Sequence, residues 1–356
     1  MMRVQEHDSG TSAAPERGRE LGRRWADRIG EAIGAYRGHY ADLGISGTAA
    51  LDVAERSCGS LAAWHPGLGA ELESIAAGAG VPVAELGLLN SRTEILAAAP
   101  PAGDGECSTV IHPERGISFQ TWDWHPALVP DAVLWRYAPA PGRWVKTFTE
   151  HGMLAKIGIN SAGLAVHLNI LRHRADSAAG GVPVHAIARR VLDEADTLAD
   201  AIMIARSATV SASTAITVYD TRAAEAASLE ITPAGVEPIP VRADGWLIRT
   251  NHLLDPRLQA GVVPNPLSTT KERYQHLDTV VGGSAVKVAP LPELAAALIA
   301  EAGADAPICQ REDAGLPEKD HWRTLLTVRL DPAAELIEYW PGTPADVVEA
   351  GEARTF

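Results

Sequence analysis

The chain has 356 residues, 46% of them hydrophobic, enough to bury a large core as one large domain or two ordinary ones. Thirty-one Lys and Arg against 45 Asp and Glu give a formal net charge of −14, which argues against nucleic acid or an anionic membrane as partner, since both need a basic face. Three cysteines (Cys58, Cys107 and Cys309) are too few for a disulfide framework, and neither a membrane-length apolar run nor a basic leader before an apolar core is present, so the expected compartment is the cytoplasm.

In chain order, residues 1–16 are polar and are expected to be a disordered N-terminus. From Arg17 to Tyr40 apolar residues recur at helical spacing, among them Leu21, Trp25, Ile29, Ile33 and Tyr36. Residues 49–63 and 67–79 repeat the pattern, and Pro82 suits the first turn of a helix running to Ala98. The breaker cluster Ala99–Glu106 must be a loop. Beyond it the period changes: 108–112, 117–124, 132–138, 144–149, 155–160 and 164–170 read as short strands. Helices are expected at 183–194 and 197–206, strands at 214–220, 226–232 and 246–251, helices at 268–281 and 291–302, and a hairpin over 323–340. Strands in groups and helices in groups predict an α+β layered fold with antiparallel sheets covered by helices.

Candidate chemistry gathers where the period changes. Cys107 stands between the breaker loop and the first strand, where it reads either as a small half-buried residue or as a nucleophile with Ser108 and Thr109 beside it. Asp123 lies between Trp122 and Trp124 within a strand; an Asp there needs either a buried partner or a function, the alternative being a turn cap before Pro126. His125 reads as a base or, beside Pro126, as a solvent-facing residue. Asn160 fits a turn position that tolerates positive φ. Asn251 closes another strand, where its amide either caps a turn or donates to an oxyanion. Twelve histidines include no helical pair around a Glu and no zinc-like Cys/His spacing, and neither a phosphate loop nor a Gly-x-Ser-x-Gly elbow is present, so no metal or cofactor is called for.

Taken together, the motifs resemble a known family. They run from Gly18-Arg19-Glu20-Leu21-Gly22 and Leu88–Glu94 through Cys107-Ser108-Thr109, Gln120-Thr121-Trp122-Asp123 and Phe148–Gly152. They continue with Lys156–Asn169, Gly181-Val182-Pro183, Thr250-Asn251-His252 and the closing strands from Arg323 to Pro344. The ordered set resembles the acyl-coenzyme A:6-aminopenicillanic acid (isopenicillin N) acyltransferase family of self-processing cysteine N-terminal-nucleophile hydrolases. That resemblance implies a four-layer αββα fold in a precursor cut immediately before its nucleophile, here at Glu106–Cys107. The products would be a helical chain, 17–106, and a β-rich catalytic chain, 107–356, which stay associated as one domain.

The resemblance further implies Cys107 as thiol nucleophile, Asn251 as oxyanion donor, Asp123 as the partner of the nucleophile's amine and Thr109 as a neighbouring hydroxyl. Trp124, His125, Asn169 and Gln310 are carried as substrate-binding candidates. The expected substrate is a small N-acyl compound, with an acyl-CoA or an amine as candidate co-substrate. Glu106 where the resembled enzyme has Gly, Gln310 where the family has Arg, and a divergent loop His125–Val133 argue against penicillin itself. Glu106 and the Gln310 region also motivate a rival expectation, an unprocessed and catalytically silent member that binds a small molecule or serves in an assembly.

Overall fold

The computed structural model describes residues 2–99, 106–283, 286–317 and 320–356. The first segment is a strand, β1 (Arg3–Asp8), followed by six helices: α1 (Ala14–Arg24), α2 (Ala26–Asp42), α3 (Gly47–Trp64), α4 (Pro66–Ala79), α5 (Val83–Asn90) and α6 (Arg92–Leu96). Local chemistry sets their ends. The Ser46 hydroxyl accepts from Ala49 N–H to start α3, and α4 starts with Pro66 and ends at Gly80 with φ +72°. Helices α1 and α4 approach closely at glycines: a Cβ on Gly78 would lie 2.3 Å from the Arg19 carbonyl oxygen.

Beyond residue 106 the strands are β2 (Cys107–His112), β3 (Ile117–Trp124), β4 (Asp131–Tyr137), β5 (Val145–Thr149), β6 (Ile157–Asn160) and β7 (Leu164–Ile170). Helices α7 (Val184–Glu194) and α8 (Leu198–Ser207) follow, then β8 (Thr214–Asp220), β9 (Glu225–Thr232), β10 (Gly235–Pro240) and β11 (Leu247–Arg249). The chain closes with α9 (Pro256–Gln259), α10 (Thr270–Gly282), α11 (Leu291–Ile299), β12 (Arg323–Asp331), β13 (Leu336–Trp340), α12 (Pro344–Ala350) and β14 (Arg354–Thr355).

Two sheets result. One has the order β1-β4-β5-β6-β7-β8-β9-β10 and the other β11-β2-β3-β12-β13-β14. Every pairing between these strands is antiparallel except β1 with β4. The sheets contact each other through β2 and β7, β11 and β9, and β12 and β6. Helices α7 and α8 cover the larger sheet, and α10 lies on β11 and β2 with α11 packed beside it. That is the expected four-layer αββα arrangement. A single hydrophobic cluster joins Leu21, Ile29 and Leu72 of the helical segment to Trp122, Trp135 and Ile157 of the β-rich one.

Two of these expectations change. The polar opening is ordered: residues 3–8 form an edge strand on β4, and the buried Trp135 donates from Nε1 to Ser9 Oγ at 2.9 Å. An edge strand exposes much of its surface, so its polar residues gave no strand signal. Asn160 does not adopt positive φ; Gly163 does, at +93°. Asn160 holds the turn through its side chain, with Oδ1 accepting from Ala162 and Leu164 N–H, both at 3.0 Å. The loop expected over Ala99–Glu106 falls mostly outside the described residues.

Candidate active site

Side-chain alternation along β2 sorts its residues into two environments. Thr109 and Ile111 face the space between the sheets, where Thr109 Oγ1 donates to Asn169 Oδ1 of β7 at 3.0 Å. Ser108 and Val110 face the α10–α11 layer, where Arg273 Nη1 donates to Ser108 Oγ at 2.9 Å. Cys107 shares the first set. It is buried, pairs with Trp122 of β3, and opens the strand.

The backbone on either side of Cys107 is held at every polar atom. Its N–H donates to Asn251 Oδ1 at 2.9 Å, and its carbonyl accepts from Arg273 Nη1 at 2.7 Å and Asn169 Nδ2 at 3.1 Å. The ladder extends one residue upstream: Glu106 N–H donates to the Asp123 carbonyl at 3.1 Å, and the Glu106 carbonyl accepts from Asp123 N–H at 2.7 Å. The Glu106 carboxylate is clasped as well. Oε2 accepts from Thr269 N–H at 3.1 Å and Thr269 Oγ1 at 2.7 Å and lies 3.0 Å from Arg273 Nη2, while Ser268 Oγ donates to Oε1.

Electrostatics follow from burial. Desolvation, then the Asp123 carboxylate, push the Cys107 thiol up to about 12, against the pull of Arg273, the Asp123 N–H and Lys156. Asp123 is raised to about 7, chiefly by burial; Arg273 and the Thr324 hydroxyl, which donates to Oδ1 at 2.7 Å, act the other way. Asp123 Oδ2 is buried and has no hydrogen-bond partner among the described residues. Lys156 stands with Nζ 3.7 Å from the centre of the Trp122 ring and is lowered to about 7 by burial and then Arg92, while its ion-pair partner Glu150 opposes the shift.

The structure therefore brings together Cys107, Asp123, Asn251, Thr109, Asn169 and Glu106. Two of them behave differently from expectation. Asn251 presents its oxygen to Cys107 N–H and also accepts from Arg273 Nη2 at 3.0 Å, while its Nδ2 donates to the Ile170 carbonyl at 2.8 Å. Those partners, two donors on one atom and a carbonyl on the other, fix the amide orientation. Thr109 reaches Cys107 through Asn169, whose oxygen it fixes.

The remaining candidates lie away from Cys107. Trp124 is fully buried, donating from Nε1 to Tyr36 Oη at 3.0 Å under the Arg92 guanidinium, 4.2 Å from the ring centre. His125 is not solvent-facing: it is 3% exposed, with Nδ1 2.9 Å from the His321 carbonyl oxygen and its ring against His39. Gln310 acts through its backbone, its N–H donating at 3.1 Å to Thr324 Oγ1, the hydroxyl that holds Asp123. Sequence reasoning missed Arg273, Ser268, Thr269 and Thr324, which carry no motif. The one available signal was Glu106 itself, a carboxylate beside a buried strand, which demands a cation nearby.

A groove of about 370 Å³ opens beside Glu106, lined by Ile170, Leu171, Asn251, His252 and Ser268 among others. No group of three or more His, Cys, Asp or Glu among the described residues is arranged to hold a metal ion.

Residues 112–335 match the family model described as acyl-coenzyme A:6-aminopenicillanic acid acyl-transferase. The 40 kDa form of acyl-coenzyme A:6-aminopenicillanic-acid-acyltransferase from Emericella nidulans is 30% identical over 215 residues. That match spans 60% of this chain and 59% of the relative's length. Among solved structures, a mutant of conjugated bile acid hydrolase from Clostridium perfringens is similar with a TM-score of 0.45 and 8% identity, covering 70% of this chain and 92% of that one. Penicillin V acylase from Agrobacterium tumefaciens gives a TM-score of 0.37 and 15% identity, covering 66% and 82%.

Proposed function

This chain belongs to the acyl-coenzyme A:6-aminopenicillanic acid acyl-transferase family, and from that premise we propose a self-processing cysteine amidohydrolase or acyltransferase acting on a small N-acyl compound. The observation that carries this reading is the setting of the Glu106–Cys107 bond: a buried Cys opens a strand, and the carbonyl before it is already bonded by the Asp123 N–H at 2.7 Å.

In the intact chain the Cys107 sulfur adds to the Glu106 carbonyl carbon. The oxyanion that develops keeps its bond from Asp123 N–H, a donor positioned before the charge appears. A thiol held near 12 needs a base, and Asp123, close to neutrality and with one oxygen unpartnered, is the acceptor we assign. The C–N bond breaks, the proton passes to the departing amine, and the Glu106 acyl group rests on sulfur as a thioester until water hydrolyses it. The freed α-amine, with an unperturbed pKa of about 7.7–8.0, then serves as base towards its own thiol. Asn251 Oδ1, which now accepts from the Cys107 amide, would orient that amine. An oxyanion role for Asn251 requires its Nδ2 to leave the Ile170 carbonyl. Thr109 and Asn169 position the Cys107 carbonyl.

The substrate amide would enter by the groove beside Ile170 and Leu171 and acylate Cys107. Water as acceptor gives hydrolysis; an amine gives transfer, and an acyl-CoA could replace the amide as donor. Intact mass under denaturing conditions tests the reading. Wild-type protein should give two species divided between Glu106 and Cys107, and Cys107→Ala a single full-length mass without turnover. A full-length wild type with an unreactive Cys107 that binds a ligand without converting it would instead establish the silent, ligand-binding member.

A further inference from the structure

The clasp around the Glu106 carboxylate has a consequence for the substrate. Self-cleavage is itself an acylation of Cys107, and its first acyl group is the Glu106 residue. At that stage the side-chain carboxylate is held by the Thr269 N–H, the Thr269 and Ser268 hydroxyls and the Arg273 guanidinium. Arg273 is fully buried; its Nε and Nη1 and one bond of Nη2 keep Thr269 Oγ1, the Cys107 carbonyl, Ser108 Oγ and Asn251 Oδ1, but once Glu106 departs its charge and the Thr269 N–H face a site with no anion in it. Buried donors left unpaired are costly, and an arriving carboxylate would satisfy them. A substrate acylates the same sulfur, so its carbonyl carbon takes the position of the Glu106 carbonyl carbon. An acyl chain with a carboxylate at the same remove from that carbon reaches the same donors. The groove leading to the site adds Arg172 and Lys271 to its lining against Glu272, a balance that stays cationic once Glu106 has left.

We propose that the mature enzyme selects acyl groups ending in a carboxylate at glutamyl spacing, so that glutaryl or α-glutamyl amides are its substrate class, with the vacated Glu106 clasp as the acyl-carboxylate site. The Cys107 sulfur bonds to the acyl carbon, the amide C–N bond breaks and the amine leaves with the thiol proton. Water then cleaves the thioester, releasing the dicarboxylic acid and restoring the thiol. This rests on the self-processing reading, and the test keeps the two apart.

Processed wild-type enzyme is assayed with chromogenic anilides of glutarate, adipate, succinate and pentanoate, the last lacking only the terminal carboxylate. In parallel, alkylation of Cys107 by iodoacetamide is followed by mass with glutarate or pentanoate present. The glutaryl anilide should exceed the pentanoyl one in kcat/KM by about 10–100-fold, the range expected of charge-assisted hydrogen bonds. Glutarate should protect the thiol where pentanoate does not. Thr269→Val should collapse the glutaryl-to-pentanoyl ratio, and Thr269→Ser should restore most of it. Turnover of all four anilides at similar rates, with no selective protection, overturns the carboxylate site and leaves the cysteine chemistry standing. An unprocessed chain with an unreactive Cys107 overturns both.

Discussion

Asp123 shows how one residue's surroundings set its chemistry. Its carboxyl is buried, has one hydrogen bond from Thr324 and one unpartnered oxygen, and titrates near 7 against an ordinary 3.8. The folded state thus holds this proton more tightly than the unfolded chain. Between about pH 4 and 7 the native protein is protonated here while the unfolded chain is not, so this group's contribution to stability falls as pH rises through that window and is flat above it. In a Cys107→Ala background, where neither protein can be cut, Asp123→Asn should remove that slope, so that the difference in urea midpoint between the proteins with and without the change grows from pH 4 to 7. If Asp123 accepts the thiol proton, Asp123→Asn alone should also abolish self-cleavage. Equal pH slopes in the two proteins would sink the assignment of a raised pKa. At this scale the sequence was legible where a residue type was out of place: Cys107 at the change of period, Asp123 within an aromatic strand. Arg273 was not legible, because an Arg in the first turn of a polar helix is an ordinary solvated residue until the fold turns it onto the Cys107 carbonyl.

At the scale of elements, β12 contributes one side chain to the site and the segment before it contributes a backbone amide. The order is Gln310 N–H to Thr324 Oγ1, and Thr324 Oγ1 to Asp123 Oδ1. A relay through a main-chain donor is indifferent to the side chain that bears it. Gln310→Ala should therefore leave the rate of self-cleavage within about twofold, since the lost side-chain contact is an exposed one to the Arg311 carbonyl. Thr324→Val removes the hydroxyl, leaves a buried carboxylate without its donor, and should cost about 1–3 kcal/mol in stability and slow cleavage. Mass-resolved time courses on the two variants distinguish backbone from side-chain recognition here. The elements themselves were legible where a face is buried: β3 and β8 occupy the residues their pattern predicts, 117–124 and 214–220. Both edge strands of the larger sheet were missed, β1 for its polar residues and β10 for Pro238 and Pro240. Proline is tolerated there because an edge strand has a side without ladder partners.

At the scale of the molecule, the proposed cut after Glu106 would leave the helical segment held to the β-rich one by non-covalent contacts alone. Apolar burial is shared by both, but the polar links across the boundary are unusually deep. Glu71 of α4 is fully buried and accepts from Arg17 of α1 (Nε and Nη2, both 2.8 Å) and from Arg189 of α7 (Nη2, 3.0 and 2.8 Å), while Arg189 also bonds Asp193. A second network joins Tyr36 and Arg92 to Glu150, with Arg92 Nη1 at 2.6 Å from Glu150 Oε1. Burial favours the neutral form of Glu71, yet the two guanidiniums outweigh it and hold the carboxyl below its usual range. The stabilisation it supplies is therefore present above the ordinary glutamate pKa of 4.5 and is lost as pH falls through the lower folded value. Glu71→Ala leaves the buried Arg17 without its carboxylate and Arg189 with Asp193 alone, a loss expected to cost about 3–5 kcal/mol. Only one of those Arg residues belongs to the same segment as Glu71, so in the cleaved protein the damage should appear as dissociation as well as unfolding. Native mass spectrometry of the processed variant should show free helical and β-rich chains where wild type shows their complex. A complex that survives the substitution unchanged would assign the cohesion to the apolar core alone.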